Sequence, residues 1–175
     1  MTRWAPLTPL VLLPLLLTAA APVTVTAGGG QRAPHRVIAG TVIVGDSDVA
    51  LWTAVLEVLP ARPERIEILD LASLSDTARR KVNGRDAFVL AGHRTIVVIR
   101  QGATLRQAEF GDGFDRLVLA SLVWHELAHA NGASEQAALE KEQALWHRFI
   151  RLGLVSTADG MAYIQRLREA RLAAK

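Results

Sequence analysis

The most constraining stretch of this chain is residues 117–129. Leu117-Val118-Leu119-Ala120-Ser121-Leu122-Val123-Trp124 is apolar almost throughout and runs directly into His125-Glu126-Leu127-Ala128-His129. A helix that is apolar on every side has to be buried, and ionisable groups at the end of a buried helix are costly unless something pairs with them. Asp115 reads as the cap of this helix, which is expected to run to about Ala130 and to stop at Gly132. Such a segment demands a substantial core. Half of the 175 residues are hydrophobic, so one compact domain can supply it.

His125 and His129 are four residues apart, which puts both rings on one face, one turn from each other. From there both imidazoles can reach a single metal ion at about 2.0–2.1 Å. Glu126 is offset around the helix and can face a solvent molecule activated by the metal instead of the metal itself. The chain has no cysteine, so disulfides, thiol catalysis and cysteine metal sites are excluded, and any metal must bind through histidine and carboxylate. A third ligand is sought across the Gly132 turn, where an antiparallel helical hairpin brings residues 135–139 opposite the histidines. Glu135 lies in that window. Glu142 is its rival, because Glu135, Leu139, Glu142, Trp146 and Phe149 share one helical stripe; Glu142 can instead hold the second ring nitrogen of a histidine from behind. Glu140 lies off the stripe and reads as solvated. Tyr163 is a candidate for hydrogen bonding a developing oxyanion, against an ordinary role as a core aromatic. His93 and His147 read as surface histidines, and Trp52, Trp124 and Trp146 as core.

The remaining elements follow from periodicity. Arg36–Val44 reads as a strand, Ser47 as the cap of a helix carrying Val49, Trp52, Val55 and Leu59, and Arg65–Leu71 as a second strand. Ser73–Val82 reads as a short helix. Asp86–Ala91 and Thr95–Arg100 are β-branched runs that suit a hairpin, and Gly102–Gly113 reads as a polar loop. After the His125 helix, Ser134 caps a helix reaching about Leu152, and Ser156 with Asp159 opens a last one. A strand-rich first half followed by three helices is an α+β domain.

The N-terminus carries Arg3, an apolar run over Leu10–Leu17, and small residues at Val25-Thr26-Ala27. That is the pattern of a signal peptide over residues 1–27, with cleavage after Ala27 or Ala20, followed by a flexible leader at 28–35 and the domain at 36–175. The expectation is an exported protein, periplasmic or extracellular, with no stable membrane association after cleavage. The formal charge is +3 and the basic residues are scattered, which argues against a nucleic-acid partner. The run Arg79-Arg80-Lys81 reads as a solvated helix face.

The His125–His129 segment resembles the zincin metallopeptidases, which share His-Glu-x-x-His on an active-site helix. The resemblance covers that helix and the next, about thirty residues. It implies a small zincin-like domain in which His125 and His129 hold one zinc ion, Glu126 is the general base, and a peptide or protein substrate lies antiparallel to an edge strand, either Thr95–Arg100 or its hairpin partner. Glu135 stands where metzincins usually carry a histidine, whereas a glutamate from the following helix is a gluzincin trait; Met161, in an expected helix, does not suit the metzincin methionine turn. The subgroup is left open. The function implied is a zinc-dependent hydrolase cleaving peptide bonds. The alternative is a non-catalytic, metal-stabilised binding domain. Val42-Ile43-Val44-Gly45-Asp46-Ser47 also resembles the first block of the GDSL serine hydrolases, but the Asp-x-x-His pair of that family is missing near the C-terminus, and a serine nucleophile needs a positioned base.

Overall fold

The computed structural model describes residues 35–46, 48–90 and 93–173. The expected signal peptide and the leader up to residue 34 lie outside them, as does Ser47. Among the described residues, no helix is long and apolar enough to cross a membrane.

The first apolar run forms two strands where one was expected. β1 (His35–Ile38) and β2 (Thr41–Val44) pair antiparallel around Ala39-Gly40, both at positive φ, +50° and +86°. Alanine rarely adopts that conformation, so Gly40 is the one sequence signal of the turn. α1 (Val49–Glu57) is capped by Asp48, whose carboxylate accepts from the Leu51 N–H at 2.9 Å, instead of by Ser47. The helix carries the chain to β3 (Arg65–Leu69), which lies parallel to β2. A 3-10 turn at Leu71–Ser73 precedes α2 (Asp76–Val82), capped by Ser75, with Arg79, Arg80 and Lys81 exposed as expected. The hairpin then forms from β4 (Ala87–Val89) and β5 (Thr95–Ile99). β5 also pairs parallel with β3, giving a five-stranded sheet in the order β1-β2-β3-β5-β4. Its β-branched centre, Ile43, Ile66, Ile96 and Val98, is fully buried.

α3 (Ala103–Phe110) occupies the expected loop. Its first turn is closed from a distance: the Asp86 carboxylate accepts from the Ala103 and Thr104 N–H groups at 2.9 and 3.2 Å. α4 (Gly113–Ala130) follows, with Asp112 as its cap and Asp115 completing the capping box three residues on. α5 (Glu135–Arg151) is capped by Ser134, and at α6 (Thr157–Ala173) the Ser156 hydroxyl accepts from the Asp159 N–H. The α+β architecture expected from the order of elements is the one observed.

α4 is the centre of the molecule. Leu117, Leu119, Ala120 and Val123 join Trp52, Val55 and Leu56 of α1, the sheet isoleucines, and Leu145, Trp146 and Phe149 of α5 in one core. α4 also lies against β4, which forms an edge of the sheet. β5 is interior to the sheet, so of the two strands considered for substrate docking only its hairpin partner β4 is an edge.

Candidate metal centre

The site is built by the turn between α4 and α5. Gly132 sits at φ +82°, the left-handed conformation that glycine tolerates and that ends helices. The Ala133 N–H returns to the Ala128 carbonyl at 3.0 Å. α5 then folds back along α4, so that Glu135 meets His129, Glu142 meets His125, and the Trp124 indole donates to the Lys141 carbonyl. The end of α4 is fixed laterally by Arg94, whose guanidinium donates to Glu64 and to Asn131, both at 3.0 Å.

Within this frame two imidazoles and one carboxylate converge. The Nε2 atoms of His125 and His129 are 3.1 Å apart; Glu135 Oε2 is 3.1 Å from His129 Nε2, and its Oε1 is 3.5 Å from His125 Nε2. Among the described residues, His125, His129 and Glu135 form the group whose ligand atoms could share one ion. Each Nδ1 is engaged elsewhere. His125 Nδ1 is 3.1 Å from Glu142 Oε2, and His129 Nδ1 is 3.0 Å from the Ala133 carbonyl. A carbonyl can only accept, so His129 carries its proton on Nδ1 and offers a lone pair at Nε2. Two nitrogens each about 2.0–2.1 Å from a tetrahedral ion would stand about 3.3–3.4 Å apart, close to the observed spacing. Two neutral imidazoles turning lone pairs on each other, with a carboxylate beside them, repel unless a cation lies between. The donor set therefore fits a divalent metal ion.

Without a metal, protons take that role. Burial disfavours the charged His125 ring, but the hydrogen bonds and charges of Glu135 and Glu142 outweigh it and push the group up to about 10. His129 is raised chiefly by its hydrogen bond to Glu135. Glu135 is held well below the usual carboxylate range by its hydrogen bonds to both histidines. Burial raises Glu126, with the two histidine charges acting in the opposite sense. Glu126 stands outside the ligand group, half-buried and within electrostatic reach of both imidazoles and of Arg85.

The two rival glutamates thus meet opposite nitrogens of His125. Glu135, on the first turn of α5 with its side chain 52% exposed, is with the Nε2 atoms. Glu142, 5% exposed, is behind His125. Glu140 is solvated and bonded to Gln136. Tyr163 is not at the ligand group: its ring stacks on Trp146 with centroids 4.1 Å apart, and its hydroxyl faces Ser121 and Glu142, with burial raising its pKa. Gly160 lets α6 come this close, since a Cβ there would meet Ile150 Cγ1 at 2.6 Å. His93 is exposed and His147 partly so; Trp52 and Trp146 are fully buried, while Trp124 is half-buried. The Asp46 carboxylate accepts from the Asp48 N–H and the Trp52 indole, which gives the Gly45-Asp46 segment a structural use. The residue that sequence reasoning missed is Ser121, whose hydroxyl donates to Glu142 at 2.6 Å. Its signal was present: a lone hydroxyl in an apolar helix, one turn before His125.

Comparison of the chain with protein-family models, with curated proteins and with solved structures finds no match.

Proposed function

We propose that this protein is a zinc-dependent hydrolase of the zincin type, cleaving peptide bonds in an exported setting. The observation that carries the reading is the opposed use of the two ring nitrogens: each histidine has its Nδ1 tied to a separate acceptor, while both Nε2 atoms meet a Glu135 carboxylate. His125, His129 and Glu135 would hold the ion. When bound, zinc supplies Lewis acidity, polarising a carbonyl and bringing the pKa of solvent down to about 7.

The other steps belong to the chain. Glu126, offset from the ligands and raised by burial, accepts a proton from the attacking solvent and returns it to the leaving amine. β4 offers the sheet edge against which an extended peptide would add antiparallel, beside α4. A purely structural zinc site is normally closed by four protein ligands, and the group among the described residues has three, with Glu135 open to solvent. That favours the hydrolase over the metal-stabilised binding domain.

The test is Glu126→Gln, assayed on an unstructured protein substrate with metal content measured in parallel. Zinc should stay bound while hydrolysis falls by about 10²–10⁴-fold, the usual worth of a general base. Unchanged turnover would remove Glu126 from the mechanism. A wild-type protein that holds zinc and cleaves nothing would favour the binding domain.

A further inference from the structure

The hydrogen bonds behind His125 have a direction: the Glu142 carboxylate can only accept, and Trp146 keeps the Ser121 proton turned toward it. An indole N–H can only donate. Trp146 Nε1 lies 2.8 Å from Ser121 Oγ, so the hydroxyl accepts there and has its single proton left for Glu142 Oε1. The second oxygen of Glu142 then meets His125 Nδ1. Ser121 and Trp146 are fully buried and Glu142 almost so, which shields the order from bulk water. The arrangement uses helical spacing on both sides of the hairpin: Ser121 is one turn before His125 on α4, and Glu142 is one turn before Trp146 on α5.

We propose that Ser121 and Trp146 are positioning residues that hold the Glu142 carboxylate in register, one oxygen engaged by the Ser121 hydroxyl and the other presented to His125 Nδ1, so that His125 is kept as the Nδ1–H tautomer with its Nε2 lone pair turned to the ligand group. The inference rests on the metal reading above and assigns a role to two residues that touch neither ion nor substrate. A ligand histidine depends on what its other nitrogen meets; here that partner is itself oriented by two further links.

The polarity makes an unusual demand on a glutamine at position 142. Gln has nearly the shape of Glu but one oxygen and one NH2. The Ser121 proton claims the oxygen, which leaves the NH2 facing His125 Nδ1. That nitrogen must then accept, the ring proton moves to Nε2, and the lone pair needed for the metal is lost. Removing the Ser121 hydroxyl as well frees the glutamine to turn its oxygen toward Nδ1. The double variant S121A/E142Q should therefore bind metal more tightly than E142Q alone, although it carries one more lesion.

The experiment measures Zn2+ affinity by competition with a chromophoric chelator for wild type, S121A, E142Q and S121A/E142Q, together with 15N spectra of the zinc-loaded proteins that report which His125 nitrogen carries the proton. E142Q should bind about 10–100-fold more weakly than wild type. S121A/E142Q should regain several-fold, and the Nδ1–H signal should fade in E142Q and return in the double variant. If S121A/E142Q does not fold, W146F/E142Q makes the same comparison, because it frees the Ser121 hydroxyl to accept from the glutamine. E142Q as tight as wild type, or a double variant no tighter than E142Q, overturns the inference while leaving the metal reading standing. A wild-type protein that binds no zinc sinks the metal reading itself, and the polarity role with it.

Discussion

Glu135 and Glu142 stand seven residues apart on one stripe of α5 and meet opposite sides of the same imidazole. Glu135 faces His125 Nε2 from the solvent end of the helix, with its side chain 52% exposed. Glu142 faces Nδ1 from inside the core, 5% exposed and held on its other oxygen by Ser121. The residue type and helical register are shared; what differs is water. A carboxylate at the wet end can exchange a proton-bearing partner for an ion at little cost. A dry carboxylate has nothing but its fixed partners, so it orients instead of binding. Under the proposed metal reading, environment, more than identity, separates the two roles.

Separating stability from metal affinity would break this contrast or sharpen it. The largest stability effect is expected from Glu142→Ala in the metal-free protein. It strands the Ser121 hydroxyl and the His125 Nδ1–H in the core, and breaking a buried charged pair by removing one partner costs about 3–5 kcal/mol; denaturant unfolding would show it. Glu135→Ala should cost under about 1 kcal/mol by the same measurement, because that pair is half exposed. The ranking should reverse for zinc. If three ligands share a binding free energy of order 10 kcal/mol, losing Glu135 weakens affinity by about two orders of magnitude. Equal effects of the two variants on both readouts would erase the distinction between them.

The pH dependence of the metal-free protein tests the same cluster. His125 is raised from its ordinary 6.5 to about 10. Its contribution to stability is therefore fully present below about pH 6.5 and is lost as pH rises toward 10. Glu135 is lowered from its ordinary 4.5, so its contribution is present above that value and is lost as pH falls below it. Metal-free stability from this cluster should peak between those limits, whereas zinc affinity should climb with pH as the ring protons it displaces become easier to remove. A flat metal-free profile between pH 6.5 and 10 would mean that His125 is not held by the two glutamates. The smallest effect belongs to Glu140→Ala on the same helix: solvated and bonded only to Gln136, it should change neither stability nor affinity beyond about 0.5 kcal/mol.

Much of this site could be read from the chain because its determinants are local. The four-residue histidine spacing, the Gly132 turn and the Ser134 cap together bring Glu135 and Glu142 to the histidines without reference to the sheet. Elements that depend on distant partners could not be read in the same way. α3 has polar residues and no side-chain cap of its own, and it is closed by Asp86, on the far side of β5 in sequence. The break between β1 and β2 pairs Gly40 with an alanine in the left-handed conformation inside an apolar run, and alanine carries no signal for that conformation. The strand order, with β5 inserted between β3 and β4, is a long-range outcome. Ser121 was visible as a lone hydroxyl in an apolar helix, but its part emerged only once α5 set Glu142 and Trp146 against it.

Everything turns on whether His125, His129 and Glu135 grip one divalent ion. Stripping the purified protein with a chelator, then titrating it with zinc beside His129→Ala, addresses that directly. The account predicts one ion per chain in the wild type and an affinity about two orders of magnitude weaker or more in the variant. Wild-type protein that takes up no stoichiometric zinc, or a His129→Ala protein that binds it equally well, would contradict the account.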